Sequence, residues 1–452
     1  MQHSTSTTTE RRDLAVRAAV GQGLVTDDRQ PIAALLDVRA IRETAAALHT
    51  AFADVAAPGQ PVLHTFAVKA ASLVPVLRLL ADEGIGCEVA SPGELALARA
   101  AGVPTARTVL DSPAKTVSEL REALELGIAL NADNPQELTR LDALLTRGGP
   151  APSAVGLRVN PQLGAGSIGA MSTATATSKF GVALQDTGAR DWVVQAYRDR
   201  PWLTRLHSHV GSQGIPLELM AEGAKATYDL AEEINTAVGR QQIDTLDLGG
   251  GLPVNFDSDE ISPTFAEYAQ LLARTVPGLF DGRYGLVTEF GRSLLAKAGT
   301  VLARVEYAKS AGGRPIAVTH AGAQLAVRTV FTPDAWPLRV APYDGEGRPR
   351  TGDPVAQDIA GPCCFAGDLV ARDRKLPLLE QGDFAALLDT GAYYFSNPFG
   401  YNSLPRPGIY GFTVTEETDE VRFLPVRAPQ SLEDIVTESG GSHRDALRDA
   451  PE

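Results

Sequence analysis

The chain has 452 residues, 44% of them hydrophobic. That is about three times the length of an ordinary domain, so one large or two to three smaller domains with a real core are expected. Forty-one Lys and Arg against 55 Asp and Glu leave a formal charge of −14, which repels phosphate backbones and anionic membrane surfaces and argues against nucleic-acid and membrane partners. Three cysteines, two of them adjacent (Cys87, Cys363, Cys364), make a poor disulfide framework and fit a reducing, cytoplasmic setting.

Residues 1–27 are polar and Thr-rich, carry arginines where a secretory segment would be apolar, and are expected to be loose. Between about residues 60 and 292, within a barrel domain expected over 28–297, one theme repeats: a short β-branched or apolar run ending in polar residues or glycine, then a stretch with helical spacing. Eight such runs occur: VLHTFAVKA (62–70), IGCEVAS (85–91), TVLDSP (108–113), IALNAD (128–133), AVGLRVNP (154–161), RLHSHVGS (205–212), TLDLGGG (245–251) and LVTEFGR (286–292). Alternating strands and helices imply parallel pairing. Helix starts are marked by Ser91-Pro92-Gly93-Glu94, Thr116-Val117-Ser118-Glu119 and Asn134-Pro135-Gln136-Glu137, each pairing a capping side chain with an acid or amide three residues on. The fold class is therefore α/β, a (β/α)8 TIM barrel with its polar residues at the strand C-terminal ends, and an open doubly wound sheet is the alternative.

Beyond residue 298 the rhythm changes to strands and turns: TVLARVEYA, RPIAVTHA, DPVAQDIAG, FAALLDTGAYYF, GIYGFTV and EVRFLPVR, with no helix of length between them. A C-terminal, mostly β domain over 298–427 is expected, joined by the early strand PIAALLD (31–37), and residues 428–452 read as a loose acidic tail.

Several residues could carry chemistry. Lys69 ends the first barrel strand among apolar residues, which suits a buried amine with nucleophilic character, or else a snorkelling lysine. Gly249-Gly250-Gly251 could bring backbone N–H groups close to an anion, or merely turn the chain. Glu289 and Arg292 place an acid and a base at one strand end, for catalysis or as an ion pair. His207 and His209 share a strand face without an evident third metal ligand; His209 could lie against a planar cofactor with Ser212 near its phosphate, while His207 reads as a core histidine. Cys363 and Cys364 precede Asp368, and one exposed thiol could donate a proton. Tyr393, Tyr394, Tyr401, Asn402 and Arg406 crowd a proline-bounded loop. Glu94 is explained by its cap.

In this order FAVKA, GCEVASPGEL, RVNP, SKFGV, HSHVGSQ, DLGGG, EFGR, GPCC with Asp368, and GAYYFSNPFGYNS resemble the diaminopimelate and ornithine decarboxylase family, pyridoxal 5'-phosphate (PLP) enzymes of the alanine-racemase-like fold, over residues 30–425. The resemblance implies a PLP-bearing barrel, a β domain and a homodimer that shares residues across its two sites. It implies that Lys69 holds PLP as a Schiff base, that His209 stacks on the ring, that Ser212, Gly249, Gly250, Gly251 and Tyr401 hold the phosphate, and that Glu289 pairs with the pyridine nitrogen. Gly291 and Arg292 complete the cofactor side. Decarboxylation would run through a quinonoid, with Cys364 protonating Cα. Racemases of this fold usually place a cation opposite the ring nitrogen, so Glu289 argues against that alternative, and retention of Lys69 and Cys364 argues against a non-catalytic binding protein.

The departures from the family pattern fall on the distal recognition side. An acidic residue that usually follows the cysteine is Phe365; E-P-G-R reads Glu289-Phe290-Gly291-Arg292; R-P-A-L-Y reads Arg328 to Thr332; D-G-G reads His320-Ala321-Gly322; and residues 333–352 form a long connection. With Arg292, Arg328, Phe365 and Tyr401 lining the substrate side, a substrate with a distal carboxylate but no distal amine, or a larger amino-acid conjugate, is expected. Authentic diaminopimelate decarboxylation is the alternative.

Overall fold

A computed structural model describes residues 6–26, 29–148 and 153–448. The outermost residues of both termini expected to be loose, and the boundary expected at 27/28, lie outside them. Two compact units emerge: residues 41–255 with 260–296, and the described residues up to Ala40 with Phe256–Asp259 and those from Lys297 onward. Among the described residues no helix is long and apolar enough to cross a membrane.

Strand β1 (Ile32–Asp37) precedes eight barrel strands: β2 (Val62–Ala67), β3 (Gly86–Val89), β4 (Thr108–Asp111), β5 (Ala129–Ala132), β6 (Val155–Asn160), then, past the two-residue β7 (Val182–Ala183), β8 (Leu203–His207), β9 (Thr245–Asp247) and β10 (Gly285–Phe290). The order β5-β4-β3-β2-β10-β9-β8-β6 closes through β5–β6, and these pairings are all parallel. Each of the eight runs read from sequence is one of these strands. The caps form as well: Ser91 Oγ accepts from Glu94 N (3.2 Å), Thr116 and Glu119 cap reciprocally, and Asn134 Oδ1 accepts from Glu137 N (3.0 Å).

The second unit is a mostly β sheet of β11 (Gly299–Ala311), β12 (Arg314–Thr319), β13 (Val340–Tyr343), β14 (Pro354–Ala360), β15 (Leu369–Pro377), β16 (Phe384–Leu388), β17 (Gly408–Thr415) and β18 (Glu420–Arg427) together with β1. Strand β1 runs antiparallel to β11, with Leu35 opposite Thr300, and parallel to β17, with Leu35 opposite Tyr410.

Two expectations need correction. The N-terminal segment is not loose from Thr8 on: a 14-residue helix, Thr8–Gly21, capped reciprocally by Thr7 and Glu10, buries Ala15, Val16 and Ala19 against Leu35, Leu302, Phe384 and Phe412. Its apolar face consists largely of alanines, which carry little hydropathy signal but allow close packing. The β unit also contains a helix, Ala323–Phe331, whose run is interrupted by non-helical geometry at Ala326. The C-terminal segment carries a short, exposed helix, Leu432–Glu438.

Candidate active site

Parallel closure brings all eight strand C-termini to one end, and five of them deliver an acid or a histidine into the interior: Glu88 (β3), Asp111 (β4), His207 (β8), Asp247 (β9) and Glu289 (β10), each buried. Arg158 on β6 and Arg205 on β8 join them. Asp111 Oδ2 lies 3.0 Å from Arg158 Nη1 and 3.1 Å from His207 Nε2. Asp247 Oδ2 accepts from Asn131 Nδ2 (3.1 Å) and Arg205 Nη2 (3.3 Å), and its Oδ1 lies 3.3 Å from His207 Nδ1. Burial alone would neutralise these acids, but Arg158 and then His207 outweigh it and hold Asp111 well below the usual carboxylate range. His207 and Arg205 bring Asp247 down to about 2 against the same opposition. The converse holds at His207: burial opposes its charge, yet Asp111, Asp247 and Glu289 raise its proton affinity well above that of an ordinary imidazole.

Glu289 is different. Burial, reinforced by Asp247, pushes its carboxyl well above the usual range while His207 opposes, and Oε1 is buried without a hydrogen-bond partner among the described residues. Such an oxygen is costly unless a donor arrives. Beside it Gly249, Gly250 and Gly251 form a cradle that tolerates no side chain: a Cβ at Gly249 would lie 2.5 Å from His209 Nδ1, at Gly250 2.0 Å from Glu289 O, and at Gly251 2.0 Å from Gly211 O. Gly249 and Gly251 also adopt positive φ (64° and 106°). Gly250 N–H donates to His209 Nδ1 (3.0 Å), so that nitrogen carries a lone pair, in keeping with the drop in proton affinity caused by desolvation, Arg158 and Lys69. The N–H groups of Ser212 and Gly249 are also engaged, by Met171 O (3.0 Å) and Asp247 Oδ1 (3.2 Å). The Ser212 hydroxyl and Gly251 N–H have no partner among the described residues. An orphaned acid oxygen, an anchored imidazole and free donors over a glycine cradle suit a planar, nitrogen-containing ring with an anionic arm.

Lys69 occupies a short 3-10 turn, Val68–Ala70, directly after β2. The turn buries Val68 and Ala70 but leaves the Lys69 side chain 47% exposed, so the amine is not buried as its apolar context suggests; it pairs with the carboxylate of Glu88, itself 1% exposed. Gly291 leads into the short helix Arg292–Leu295, and Arg292 is buried.

The remaining sequence-selected residues cluster in the β unit. Asp368, buried, accepts from Ala323 N and Cys363 N (both 2.6 Å) and so fixes the turn that carries the two cysteines. Cys364 is exposed and Cys363 is buried. Phe365 stacks on Phe331 (centroids 5.5 Å, 8°) and meets Tyr401 edge-on (5.6 Å), while Tyr401 stacks on Phe399 (5.7 Å) and its hydroxyl donates to Cys364 O (3.4 Å). Arg328 lies over the rings of Trp336 (5.1 Å) and Tyr393 (4.9 Å), with Nη1 buried and lacking an acceptor.

The sequence reading brought out Lys69, His209, Glu289 and the glycines of the barrel but did not select Asp111, Arg158 or Asp247. The signal was a lone charge inside or ending an apolar strand run. The two histidines do not converge as a metal pair; instead Asp111, His207 and Glu289 bring one atom each within 4.8 Å of one another.

Comparison with known proteins agrees with this arrangement. Residues 38–296 match the family model "Pyridoxal-dependent decarboxylase, pyridoxal binding domain". The chain is similar to diaminopimelate decarboxylase of Pseudomonas aeruginosa (35% identical over 379 residues, 83% of this chain and 87% of that one) and of Zymomonas mobilis (31% over 389 residues, 85% and 86%). Among solved structures it resembles diaminopimelate decarboxylase of Helicobacter pylori complexed with L-lysine (TM-score 0.78, 26% identity, covering 92% and 98%) and that of M. jannaschii (0.81, 26%, 94% of both). Fold, sequence and family model thus converge: the chain belongs to the pyridoxal-dependent decarboxylase family, as a PLP-dependent amino-acid carboxy-lyase like diaminopimelate decarboxylase.

Proposed function

We propose that this enzyme decarboxylates an α-amino acid that carries a distal carboxylate and no distal ammonium. The observation that carries the reading is Arg328: its guanidinium lies over the rings of Trp336 and Tyr393, and its buried Nη1, without an acceptor among the described residues, is prepared for an anion that a carboxylate supplies. Three residues along the same helix, Phe331 stacks on Phe365, so the position where the family usually has an acid presents an aromatic face. An ammonium there would be desolvated without a counter-charge.

PLP, when bound, supplies the electron sink that makes loss of the α-carboxylate feasible. Lys69 Nζ would hold it covalently, Glu289 Oε1 would accept from its ring nitrogen, and Ser212, Gly249 to Gly251 and Tyr401 would hold its phosphate. Gly291 and Arg292 border that site. His209, kept neutral and oriented by Gly250, would lie against the ring. Cys364 would return a proton to Cα from the partner subunit of a homodimer, and Arg292 and Arg328 would hold substrate carboxylates. On this reading the barrel and β domains divide near residue 297.

A second reading, diaminopimelate itself as substrate, is favoured by the names of the relatives. Release of CO2 from purified enzyme with PLP, measured across diaminopimelate, lysine and monoamino dicarboxylates of increasing length, separates the two. Turnover of a monoamino dicarboxylate is expected; brisk turnover of diaminopimelate with none of the monoamino acids sinks the first reading.

A further inference from the structure

His207 has acceptor oxygens beside both ring nitrogens: Nδ1 is hydrogen-bonded to Asp247 O at 3.1 Å with Oδ1 at 3.3 Å, and Nε2, which makes no hydrogen bond among the described residues, has Asp111 Oδ2 at 3.1 Å. A neutral imidazole has one N–H and one lone pair, and here the lone pair would point at an oxygen. The acids cannot easily supply the missing proton, because both are already held by donors. Arg158 serves Asp111, whereas Asn131, Arg205 and Gly249 N–H serve Asp247. The ring therefore takes up the second proton itself.

Glu289 is the third neighbour, with a carboxylate oxygen within 4.8 Å of the facing atoms of His207 and Asp111. Asp111 and Asp247 each accept through one oxygen or more, although Asp111 Oδ1 has no partner; among the described residues Glu289 Oε1 has none either.

We propose that His207 is a positioning residue for the reaction: an imidazolium set between Asp111 and Asp247, whose charge, acting against the burial of Glu289, biases the proton that Glu289 shares with the cofactor's ring nitrogen toward that nitrogen. This rests on the reading above that Glu289 faces that nitrogen. The ionisable neighbours act in opposite senses: Asp111, Asp247 and Glu289 favour the charged ring, and the nearby His209 is kept neutral in part by it. The cation opposes burial and Asp247, which both favour a proton on Glu289, so removing it shifts the shared proton further toward Glu289. The same three side chains could in principle coordinate a metal, but a metal would have to displace the Nε2 proton and compete with Arg158 for Asp111.

The test uses holoenzyme loaded with PLP carrying 15N at the ring nitrogen, and 15N-histidine labelling. In wild type, both His207 nitrogens are expected to be protonated from pH 6 to 9, with a protonated ring nitrogen. His207→Gln should move the ring-nitrogen signal toward the unprotonated position and lower kcat on the order of tenfold, the equivalent of about one unit of proton affinity, with KM little changed. A singly protonated His207 at pH 7, or a stoichiometric divalent metal bound to the purified protein, overturns the proposal, and the wild-type spectra decide even where the variant does not fold. Glu289→Gln separates the two levels. If Glu289→Gln shifts the ring-nitrogen signal and His207→Gln does not, the inference about His207 fails alone; if Glu289→Gln leaves that signal in place, the reading of Glu289 fails and takes the inference with it.

Discussion

The amine of Lys69 is paired with a carboxylate that has almost no contact with water: Glu88 is 1% exposed and Lys69 47%. Burial raises the proton affinity of Glu88, and Lys69 is the main opposing influence. An acid whose folded pKa exceeds its unfolded one loses stability as pH rises from the unfolded value, about 4.5, through the folded one. Lys69→Ala removes the opposing charge and widens that window. Cofactor-free Lys69→Ala should therefore lose about 1 kcal/mol more than wild type between pH 5 and 8 in urea unfolding, a modest figure because the lysine is half exposed. Adding Glu88→Gln should abolish this site's contribution and leave a slope shallower than that of wild type. The same variant should carry no borohydride-reducible cofactor. Identical pH slopes in wild type and Lys69→Ala would remove the coupling.

The three cysteines should react in a fixed order. Burial pushes the Cys87 thiol up to about 12, and burial together with Asp368 pushes Cys363 up to about 11, whereas Cys364 is exposed. Since the thiolate is the nucleophile, iodoacetamide at pH 8 should label Cys364 first, read by peptide mass spectrometry. Cys364→Ala should lower kcat by about 10²- to 10⁴-fold, the range for loss of a positioned acid. Cys363→Ala should leave kcat within a fewfold. Preferential labelling of Cys363, or an inert Cys364→Ala, would reverse the assignment.

How much of this could be read from sequence follows from where the signals lie. The barrel strands were legible because each apolar run ended in a polar residue or glycine, and Ser91, Thr116 and Asn134 marked helix starts that the fold reproduces. The helix Thr8–Gly21 was not, because Ala15 and Ala19 bury completely without making a hydrophobic stripe. The exposure of Lys69 beside the buried Glu88 comes with a 3-10 turn that apolar neighbours do not announce. Asp111 and Asp247 were passed over because a single acid in a short run has meaning only once parallel closure sets neighbouring strand ends side by side.

The N-terminal helix carries a testable load. Arg11 Nε donates to Asp37 Oδ2 at 2.7 Å with both side chains at or below 5% exposure, and Asp37 Oδ1 also accepts from Ala40 N at 3.0 Å. Arg11→Ala strands a buried carboxylate beside β1, so a loss of about 3–5 kcal/mol is expected in chemical denaturation. Arg11→Met with Asp37→Leu should recover much of it by replacing the pair with apolar packing. A loss below about 1 kcal/mol for Arg11→Ala would mean that the helix does not hold the pair in solution.

Acid stability should report on Asp247. Its carboxyl is depressed to about 2 from 3.8, by His207 first and Arg205 next, against burial. For a depressed acid the stabilisation is complete above the unfolded value and disappears as pH falls through the folded one, here from about 4 to about 2. The shift corresponds to about 2 kcal/mol, shared with His207 and counted once because one interaction serves both partners. Asp247→Asn keeps the shape and removes the titration. The stability gap between wild type and Asp247→Asn should therefore be nearly constant from pH 5 to 7 and shrink between pH 4 and 2, followed by circular dichroism in urea. The absolute gap also contains the mismatch of an amide set against Asn131 and Arg205, so the pH slope carries the assignment. A gap that does not change with pH over that range would place the depressed carboxyl elsewhere in the barrel.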